Sequence, residues 1–392
     1  MNTIRFLILT IITAAMSASA HAHTDIDSLA TAIAASSPEV RLSRISGEAE
    51  ARSIKAENTL ANPSAEFEHL WGSRTIGNKY TVGISQEFQL PMAYGSRSRL
   101  ASAVEAQASA RSSAYEYNAR LQAKTLLITI AFDRDILSMY DSIASLAALR
   151  TSVMDTMLHR GVVTRLDYHK AAMSELSERR NLESARRELA GAEQALAALA
   201  GVPEVTVGHI NSPEVSNPPM PWQAYEDAYN ISNPYPALLS ASRSVASRRL
   251  DAVNAERWPS LSLGYLFNNE MGEKFHGLSV SVTLPVYSRA NQAKAARLSA
   301  EQLLVSDEVA SNATLSAMQR AYADALSLWD EITMMRKLLS DDADLKLVQR
   351  MQQVQRINTP DALLETIEML RSRLTLRQAE RDYAIAIATL TR

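Results

Sequence analysis

Hydrophobic positions along the chain follow two different periods. Four short segments alternate apolar with small or polar residues, which is the period of a half-buried β-strand. Val82, Ile84 and Phe88, for example, alternate with small or polar residues. Between these segments apolar residues recur every three or four positions, as in an amphipathic helix. The pattern predicts strands at about 64–72, 79–90, 259–267 and 276–287, and helices at about 24–60, 94–160, 166–200, 222–256, 289–356 and from 359 to near 390.

The same pattern occurs twice. Leu90-Pro91 closes one alternating segment and Leu284-Pro285 closes another, at an offset of 194 residues. The helical stripe Leu182, Ala185, Leu189, Ala192, Leu196 returns at the same offset as Leu376, Ala379, Tyr383, Ala386, Leu390. Solenoid units have periods of only about 20–50 residues. The sequence therefore predicts two structural repeats, 23–201 and 222–392, joined by a proline-rich connector at 202–221.

The predicted helix from 94 to 160 is unusually long. At 1.5 Å per residue it would extend about 100 Å, which exceeds what a globular core needs. Its apolar residues keep heptad spacing, interrupted by Asp133, and many core positions are alanine. This spacing is typical of an extended coiled coil.

Composition excludes several classes of protein. The chain has 392 residues, of which 46% are hydrophobic and 21% charged, so a large buried core is available and disorder is excluded. The net charge of −3 gives no basic field for nucleic acid. No cysteine is present, so neither disulfides nor a lipid-modified N-terminal cysteine is available.

The N-terminus has the features of a secretory signal peptide at 1–20. Arg5 precedes an apolar stretch, and Ala18-Ser19-Ala20 is a small-residue cleavage site, with cleavage after Ala22 as an alternative. No later segment is apolar over the length of a membrane helix. If the mature chain spans a membrane, we expect it to do so with strands.

The four strands have the length of tilted membrane-spanning strands, about 9–11 residues. Four strands cannot close a barrel, and an open strand edge is not tolerated in lipid. Several chains would therefore have to combine their strands, and three chains would supply twelve. The alternative is two soluble hairpins packed on a helical body.

Two short turns connect the long helices. Gly161 fits the left-handed position after a helix, Thr164 fits the cap of the next helix, and Asp167 suits its positive end. In the second copy Asn358 is expected to take the left-handed conformation and Thr359 to cap. Pro360 fits the first helical position there. We expect both turns to lie at the same end of the coil, as an opening or a docking surface.

The order of these motifs, present twice, resembles the TolC family of outer-membrane efflux proteins. The first copy runs from Asn62-Pro63 through a strand, a glycine-containing loop and a strand ending Gln86-Glu87-Phe88-Gln89-Leu90-Pro91. The second has Arg257-Trp258-Pro259-Ser260 and then Val280-Ser281-Val282-Thr283-Leu284-Pro285, while 160–167 resembles the family's helix turn. The second turn departs from the first, with Arg356 in place of Gly161.

The resemblance implies a mainly α fold with a β-barrel part. It implies a homotrimer with a shared twelve-stranded outer-membrane barrel and a long helical tunnel in the periplasm. It also implies two partners, an inner-membrane pump and a periplasmic adaptor (membrane fusion) protein.

Candidate site residues follow from this arrangement. Polar strand residues would line the barrel lumen, namely Glu66, Glu68, Glu87 and Gln89. Apolar residues would face lipid, namely Phe67, Trp71, Val82, Ile84, Tyr265, Val280 and Val282. The turns would contact the adaptor through Arg160, Gly161, Val162, Val163, Thr164, Asp167, Asn358, Thr359 and Pro360. Asp361 and Glu365 would form an acidic ring at the periplasmic entrance, or else a solvated first turn.

The predicted function is a passive outer-membrane exit duct for small molecules or metal ions. The alternatives are an outer-membrane duct for type I protein secretion and, more distantly, a soluble periplasmic coiled-coil scaffold. Enzyme motifs such as a phosphate loop or His-Glu-x-x-His are not found, so no catalytic residue or cofactor is predicted.

Two histidines near the mature N-terminus are weak candidates for binding a metal. If cleavage follows Ala20, His21 and His23 could chelate Cu²⁺ or Ni²⁺, as would suit a metal-efflux branch of the CzcC and CusC kind. The alternative is a loose stub without a metal.

Overall fold

The computed structural model describes residues 26–73, 77–204, 208, 210–270, 272–284, 290–339, 343–354 and 356–391. These residues form long helices and one four-stranded antiparallel sheet, so the predicted fold class is confirmed. The predicted signal peptide lies outside the described residues, as do His21 and His23.

The first half of the chain contains α1 (Ile26–Ser36), α2 (Pro38–Glu57), β1 (Ser64–Leu70), β2 (Lys79–Phe88), α3 (Pro91–His159) and α4 (Arg165–Ala200). The second half repeats this order with one additional helix: α5 (Trp222–Ser232), α6 (Tyr235–Ala255), β3 (Ser260–Glu270), β4 (Glu273–Thr283), α7 (Ala290–Leu339), α8 (Ala343–Gln353) and α9 (Thr359–Leu390).

Two helices that the sequence predicts as continuous are broken by proline. The predicted helix at 24–60 separates into α1 and α2 at Ser37, which precedes Pro38. The predicted helix at 222–256 separates into α5 and α6 at Asn233-Pro234. Proline lacks a backbone N–H and disfavours helical geometry in the residue before it. Apolar periodicity continues across both breaks, which is why the periodicity alone did not detect them.

The sheet joins the two halves of the sequence. Its order is β1-β2-β3-β4, and the antiparallel pairing of β2 with β3 links the two hairpins. The second hairpin is longer than predicted, because β3 extends to Glu270 and β4 begins at Glu273. The ladder pairs Asn269 with Lys274 despite their polar character, so cross-strand pairing overrides local composition. Gly272 follows β3 with a φ of 90°, a conformation that glycine adopts readily.

The chain divides into two compact units. Of the described residues, the helical unit contains those up to Val40, those from Glu116 to Asn233 and those from Thr314 onward. The strand unit contains Arg41–Tyr115 and Pro234–Ala313, and therefore the whole sheet.

The core of the strand unit is small. Leu100 and Val104 of α3 pack with Val245 and Ala252 of α6. Next to this cluster the Arg97 guanidinium and a Glu256 carboxylate oxygen form an ion pair at 2.8 Å. Much of this unit's exposed apolar surface lies on the sheet, and some lies on α2 and α7.

The core of the helical unit follows coiled-coil spacing. Met318, Ala325 and Ile332 of α7 recur every seven residues, and all three are fully buried. They form one cluster with Phe132 of α3 and Ile367 of α9. Heptad spacing of this kind aligns apolar side chains along one seam between helices. None of the described helices is apolar over enough of its length to cross a lipid bilayer.

Candidate functional sites

The strand register places apolar side chains on one face of the sheet. Directly paired residues share a face, and residues two apart along a strand share it too. Phe67 pairs with Val82, and Val82 with Phe267, so these three lie on one face. The same face, called here the apolar face, also carries Ile84, Phe88, Leu261, Leu263, Tyr265, Leu278, Val280 and Val282.

The apolar face is exposed in the single chain. Leu278 is 86% exposed, Phe67 70% and Val280 66%. Each such side chain loses about 1.5–3 kcal/mol of stabilisation by remaining in water rather than being buried. Trp71, predicted to face lipid, lies just beyond the end of β1 and is also exposed.

The opposite, polar face carries the predicted lumen carboxylates. Glu66 pairs with Gly83 and Glu68 with Thr81, and by alternation Glu87 lies on this face as well. Glu270 and Glu273 also lie there, opposite each other at the turn of the second hairpin. The sequence interpretation missed these two because it ended β3 before the turn, although extending the alternation by three residues would have included Glu270. Most other positions on this face are Gly, Ser or Thr.

Gln89 is not part of this face. β2 ends at Phe88, so the predicted strand end at residue 90 is too long by two residues. The Gln89 backbone N–H donates to the Tyr94 hydroxyl at 3.4 Å. Tyr94 belongs to α3, which already begins at Pro91, because proline suits the first turn of a helix.

The turn between α3 and α4 forms as predicted. Gly161 has a φ of 73°, and Thr164 is the N-cap of α4 in extended conformation. The Thr164 hydroxyl accepts a hydrogen bond from the Asp167 N–H at 3.2 Å, and an Asp167 carboxylate oxygen accepts from the Thr164 N–H at 3.3 Å. This reciprocal capping box satisfies two otherwise unpaired backbone donors. The hydrogen bond from the Thr164 side chain, with that from its backbone, lowers the pKa of Asp167.

The turn before α9 differs from its prediction. Asn358 is not left-handed; it is the N-cap of α9, in extended conformation. Its side-chain oxygen accepts from the Asp361 N–H at 2.9 Å. Thr359 is the first helical residue rather than the cap, and Pro360 is in the first turn. Asparagine is at least as good an N-cap as threonine, and the cap position one residue earlier leaves proline where no N–H is needed.

Most residues predicted to contact an adaptor are solvent-exposed at these turns. Pro360 is buried and Val163 and Asp167 are half-buried, whereas the others are exposed: Arg160, Gly161, Val162, Thr164, Asn358 and Thr359. Asp361 and Glu365, the predicted entrance carboxylates, are exposed and lie one helical turn apart on α9.

An ion pair places both turns at the same end of the helical unit. Arg371 of α9 binds Glu178 of α4. Glu178 lies about 20 Å along α4 from its cap Thr164, and Arg371 a similar distance along α9 from its cap Asn358. The two helices are parallel, because the contacts of each with α3 run in the opposite direction to α3. Parallel helices that contact each other at equal distances from their N-termini begin at the same level.

Further buried charges, which the sequence interpretation did not detect as a set, connect α9 to its neighbours. The Arg381 guanidinium binds a carboxylate oxygen of Asp133 at 2.9 Å, and Arg377 binds Asp135 at 2.5 Å. Arg336 of α7 binds Glu380 at 2.5 Å. The carboxylates of the set that are buried are Glu178, Asp133 and Glu380. The sequence signal was Asp133 itself, the one charge that interrupts the heptad stripe of α3.

The same set of charges holds the connector. Arg377 also donates to the Ser212 hydroxyl, and Arg336 donates to the Val215 carbonyl at 2.5 Å. The Tyr383 hydroxyl donates to the Asn217 carbonyl at 2.8 Å. Burial raises the pKa of Tyr383 to about 12 and, despite the hydrogen bond from Arg381, raises the pKa of Asp133.

Within the described part of the chain, no three His, Asp or Glu side chains come close enough together to hold a metal ion. The remaining metal candidates, His21 and His23, are outside that part.

Comparisons with known proteins agree at the level of the fold. No protein-family profile matches the chain, and no curated protein sequence matches it. Solved structures do. The CmeC outer-membrane channel of Campylobacter jejuni aligns over 93% of this chain and 84% of its own, with a TM-score of 0.71 and 12% identity. A membrane protein from Pseudomonas aeruginosa aligns over 94% and 92%, with a TM-score of 0.68 and 16% identity.

CusC is a further match, over 93% of this chain and 90% of its own, with a TM-score of 0.64 and 17% identity; its structures concern folding and transmembrane channel formation. The resemblance predicted from the sequence motifs is confirmed by these matches: the chain has the fold of the TolC-family outer-membrane channels.

Proposed function

We propose that the chain is the outer-membrane exit duct of a tripartite export system, assembled as a homotrimer and passive in itself. The observation that carries the proposal is the exposed four-stranded sheet, with one apolar face, one polar face and two outer edges. The resemblance of the fold to outer-membrane channels supports it.

The edges of the sheet require partners. β1 and β4 are the outer strands of the described sheet. In lipid, an unpaired row of backbone N–H and C=O groups is too costly to persist. Pairing β4 of one copy with β1 of the next satisfies both edges and closes the sheet into a barrel.

Three is the smallest number of copies that would leave an open lumen. Two copies would give eight strands, and an eight-stranded barrel is filled by its own side chains. Three copies give twelve strands, and the small side chains of the polar face leave space inside. The lumen would then be lined by Glu66, Glu68, Glu87, Glu270 and Glu273.

The helical unit supplies the periplasmic part of the proposed duct. Its two turns, at 160–167 and 358–361, lie at the same end of the unit, where α4 and α9 start. Most side chains of these turns are exposed. Such a surface suits docking of a periplasmic adaptor, which in turn recruits an inner-membrane pump. We propose small molecules or metal ions as cargo; protein secretion is the alternative.

Asp361 and Glu365 would form an acidic ring at the entrance if three copies surround one axis. A ring of carboxylates favours cations. Replacing both by Asn and Gln is expected to reduce cation selectivity in single-channel recordings, whereas the same change at Glu183 on α4 should not. Unchanged selectivity would remove the ring from the proposal.

The proposal is tested by cell fractionation and native mass. The protein should be found in the outer-membrane fraction, leave it as a trimer in mild detergent, and conduct ions in a planar bilayer. A monomer released with the soluble periplasmic contents would overturn the duct and favour the scaffold.

A further inference from the structure

The two faces of the sheet differ in charge as well as in polarity. On the described strands every carboxylate lies on the polar face, namely Glu66, Glu68, Glu87, Glu270 and Glu273. The apolar face carries no acid on these strands, and its basic side chains are His69, Lys274 and His276. We call these three residues the basic rim.

The basic rim lies at the turn end of both hairpins. His69, Tyr80, Asn269 and Lys274 occupy one row across all four strands. His276 lies in the adjacent row, paired with Phe267. Strands are about 4.8 Å apart, so the row spans about 14 Å. Beyond these rows, away from the turns, the apolar face is almost entirely aliphatic or aromatic.

The two lysines of the described strands, Lys79 and Lys274, differ in whether a carboxylate neutralises them. Lys79, on the polar face, forms an ion pair with Glu270 at 3.1 Å. Lys274, on the apolar face, is exposed and has no carboxylate partner among the described residues. The apolar face therefore presents an unneutralised cation beside its apolar rows.

Aromatic side chains accompany the basic rim. The rings of Phe267 and His276 lie 5.1 Å apart, and the Tyr265 hydroxyl lies 2.6 Å from Nδ1 of His276. The His69 ring contacts Trp71 at 4.9 Å. Tyrosine and tryptophan prefer the level of the lipid headgroups, where an apolar ring and a polar group are both satisfied.

We propose that the basic rim binds the phosphate groups of anionic lipid headgroups. The proposal rests on the proposed function, because it requires the apolar face to lie in lipid. Charge complementarity identifies the occupant: a face without acids on the described strands, with a free lysine and two histidines at headgroup level, attracts phosphate. A lysine near an anionic lipid surface strengthens binding about fivefold, and added salt screens this effect.

The test uses the purified full-length protein in a neutral detergent, titrated with lipid A, whose headgroup carries phosphates. Native mass spectrometry counts bound lipid and, in the same spectrum, the copies of the chain. Phosphatidylcholine and inorganic phosphate serve as alternative ligands. The variants are Lys274→Gln, Lys274→Arg and, as matched control on the other face, Lys79→Gln.

Lipid A should bind more tightly than phosphatidylcholine, inorganic phosphate should not compete at equal concentration, and Lys274→Gln should weaken lipid A binding about fivefold. Lys274→Arg and Lys79→Gln should bind as the unmodified protein does. Equal losses in Lys79→Gln and Lys274→Gln, no loss in either, or competition by free phosphate would overturn the proposal. A spectrum with monomers alone contradicts the proposed trimer instead, and the lipid preference is still measured on those monomers.

Discussion

Charged residues are arranged in opposite ways in the strand unit and the helical unit. On the sheet most are exposed and, apart from Lys79 beside Glu270, separated by face, with the carboxylates on one side and the basic rim on the other. In the helical unit several are buried and paired, as Arg381 is with Asp133. The exposed charges make the two faces of the sheet suited to different surroundings. The buried pairs instead specify which helices pack together and which turns of those helices meet.

The largest effect is expected from breaking a buried pair. Arg381→Leu leaves the buried carboxylate of Asp133 without its main partner, which costs about 3–5 kcal/mol. Circular dichroism should show the helices unfolding at a clearly lower temperature. The double variant Arg381→Leu with Asp133→Leu should recover most of the loss. A single variant as stable as the unmodified protein would show that the pair does not hold the helical unit.

The next effect concerns the sheet. Val280→Arg places a charge on the apolar face near the middle of β4 and should cost about 2–4 kcal/mol near the bilayer midplane. The measurement is the fraction of protein recovered as trimer from membranes. Its control is the neighbour Ser281→Arg, on the polar face. If both variants assemble equally well, the faces are not in different environments.

A smaller change in stability, of opposite sign at the two positions, is expected when two glycines of the helical unit are replaced. Gly161 and Gly191 both have open space where a Cβ would be, but only Gly161 has a positive φ, of 73°. Gly161→Ala should therefore destabilise by about 1–2 kcal/mol, whereas Gly191→Ala, within α4, should stabilise by up to about 1 kcal/mol. Thermal unfolding measures both. Shifts of the same sign would contradict the left-handed turn.

The smallest effect is the titration of Asp167. Its pKa is lowered in the folded protein, so its contribution to stability is present above the ordinary value of 3.8 and is lost as pH falls through the lowered value. Thr164→Ala should return the pKa towards 3.8, measured by NMR with labelled aspartate. Thr151→Ala, which removes a helical hydroxyl elsewhere, should leave it unchanged.

The sequence predicts the sheet better than it predicts the buried charges. Alternation of period two is set by each strand separately, so the faces carrying Val82 and Glu66 could be read from local pattern. Proline explains the errors at Ser37 and Asn233, because apolar periodicity continues across a break that the missing N–H and the restricted geometry of the preceding residue impose.

The charges in the helical unit depend on partners far apart in sequence. Asp133 and Arg381 are ordinary surface types until the fold brings them together. Asn358 and Thr359 are both residue types that cap helices, and the preference for asparagine is too small for local pattern alone to choose between them.

The central claim, that β1 of one copy pairs with β4 of another, is tested most directly by engineered disulfides in a chain without native cysteine. Glu68→Cys in β1 is combined in turn with Gly277→Cys, Ser279→Cys or Ser281→Cys in β4, all on the polar face. Two strands separate these edges within one chain, about 14 Å, which is too far for a disulfide. Non-reducing gels of outer membranes should show covalent dimers and trimers for at least one combination. Glu68→Cys with Val280→Cys, on opposite faces, should give none. Monomers in every combination would contradict closure of the sheet between copies.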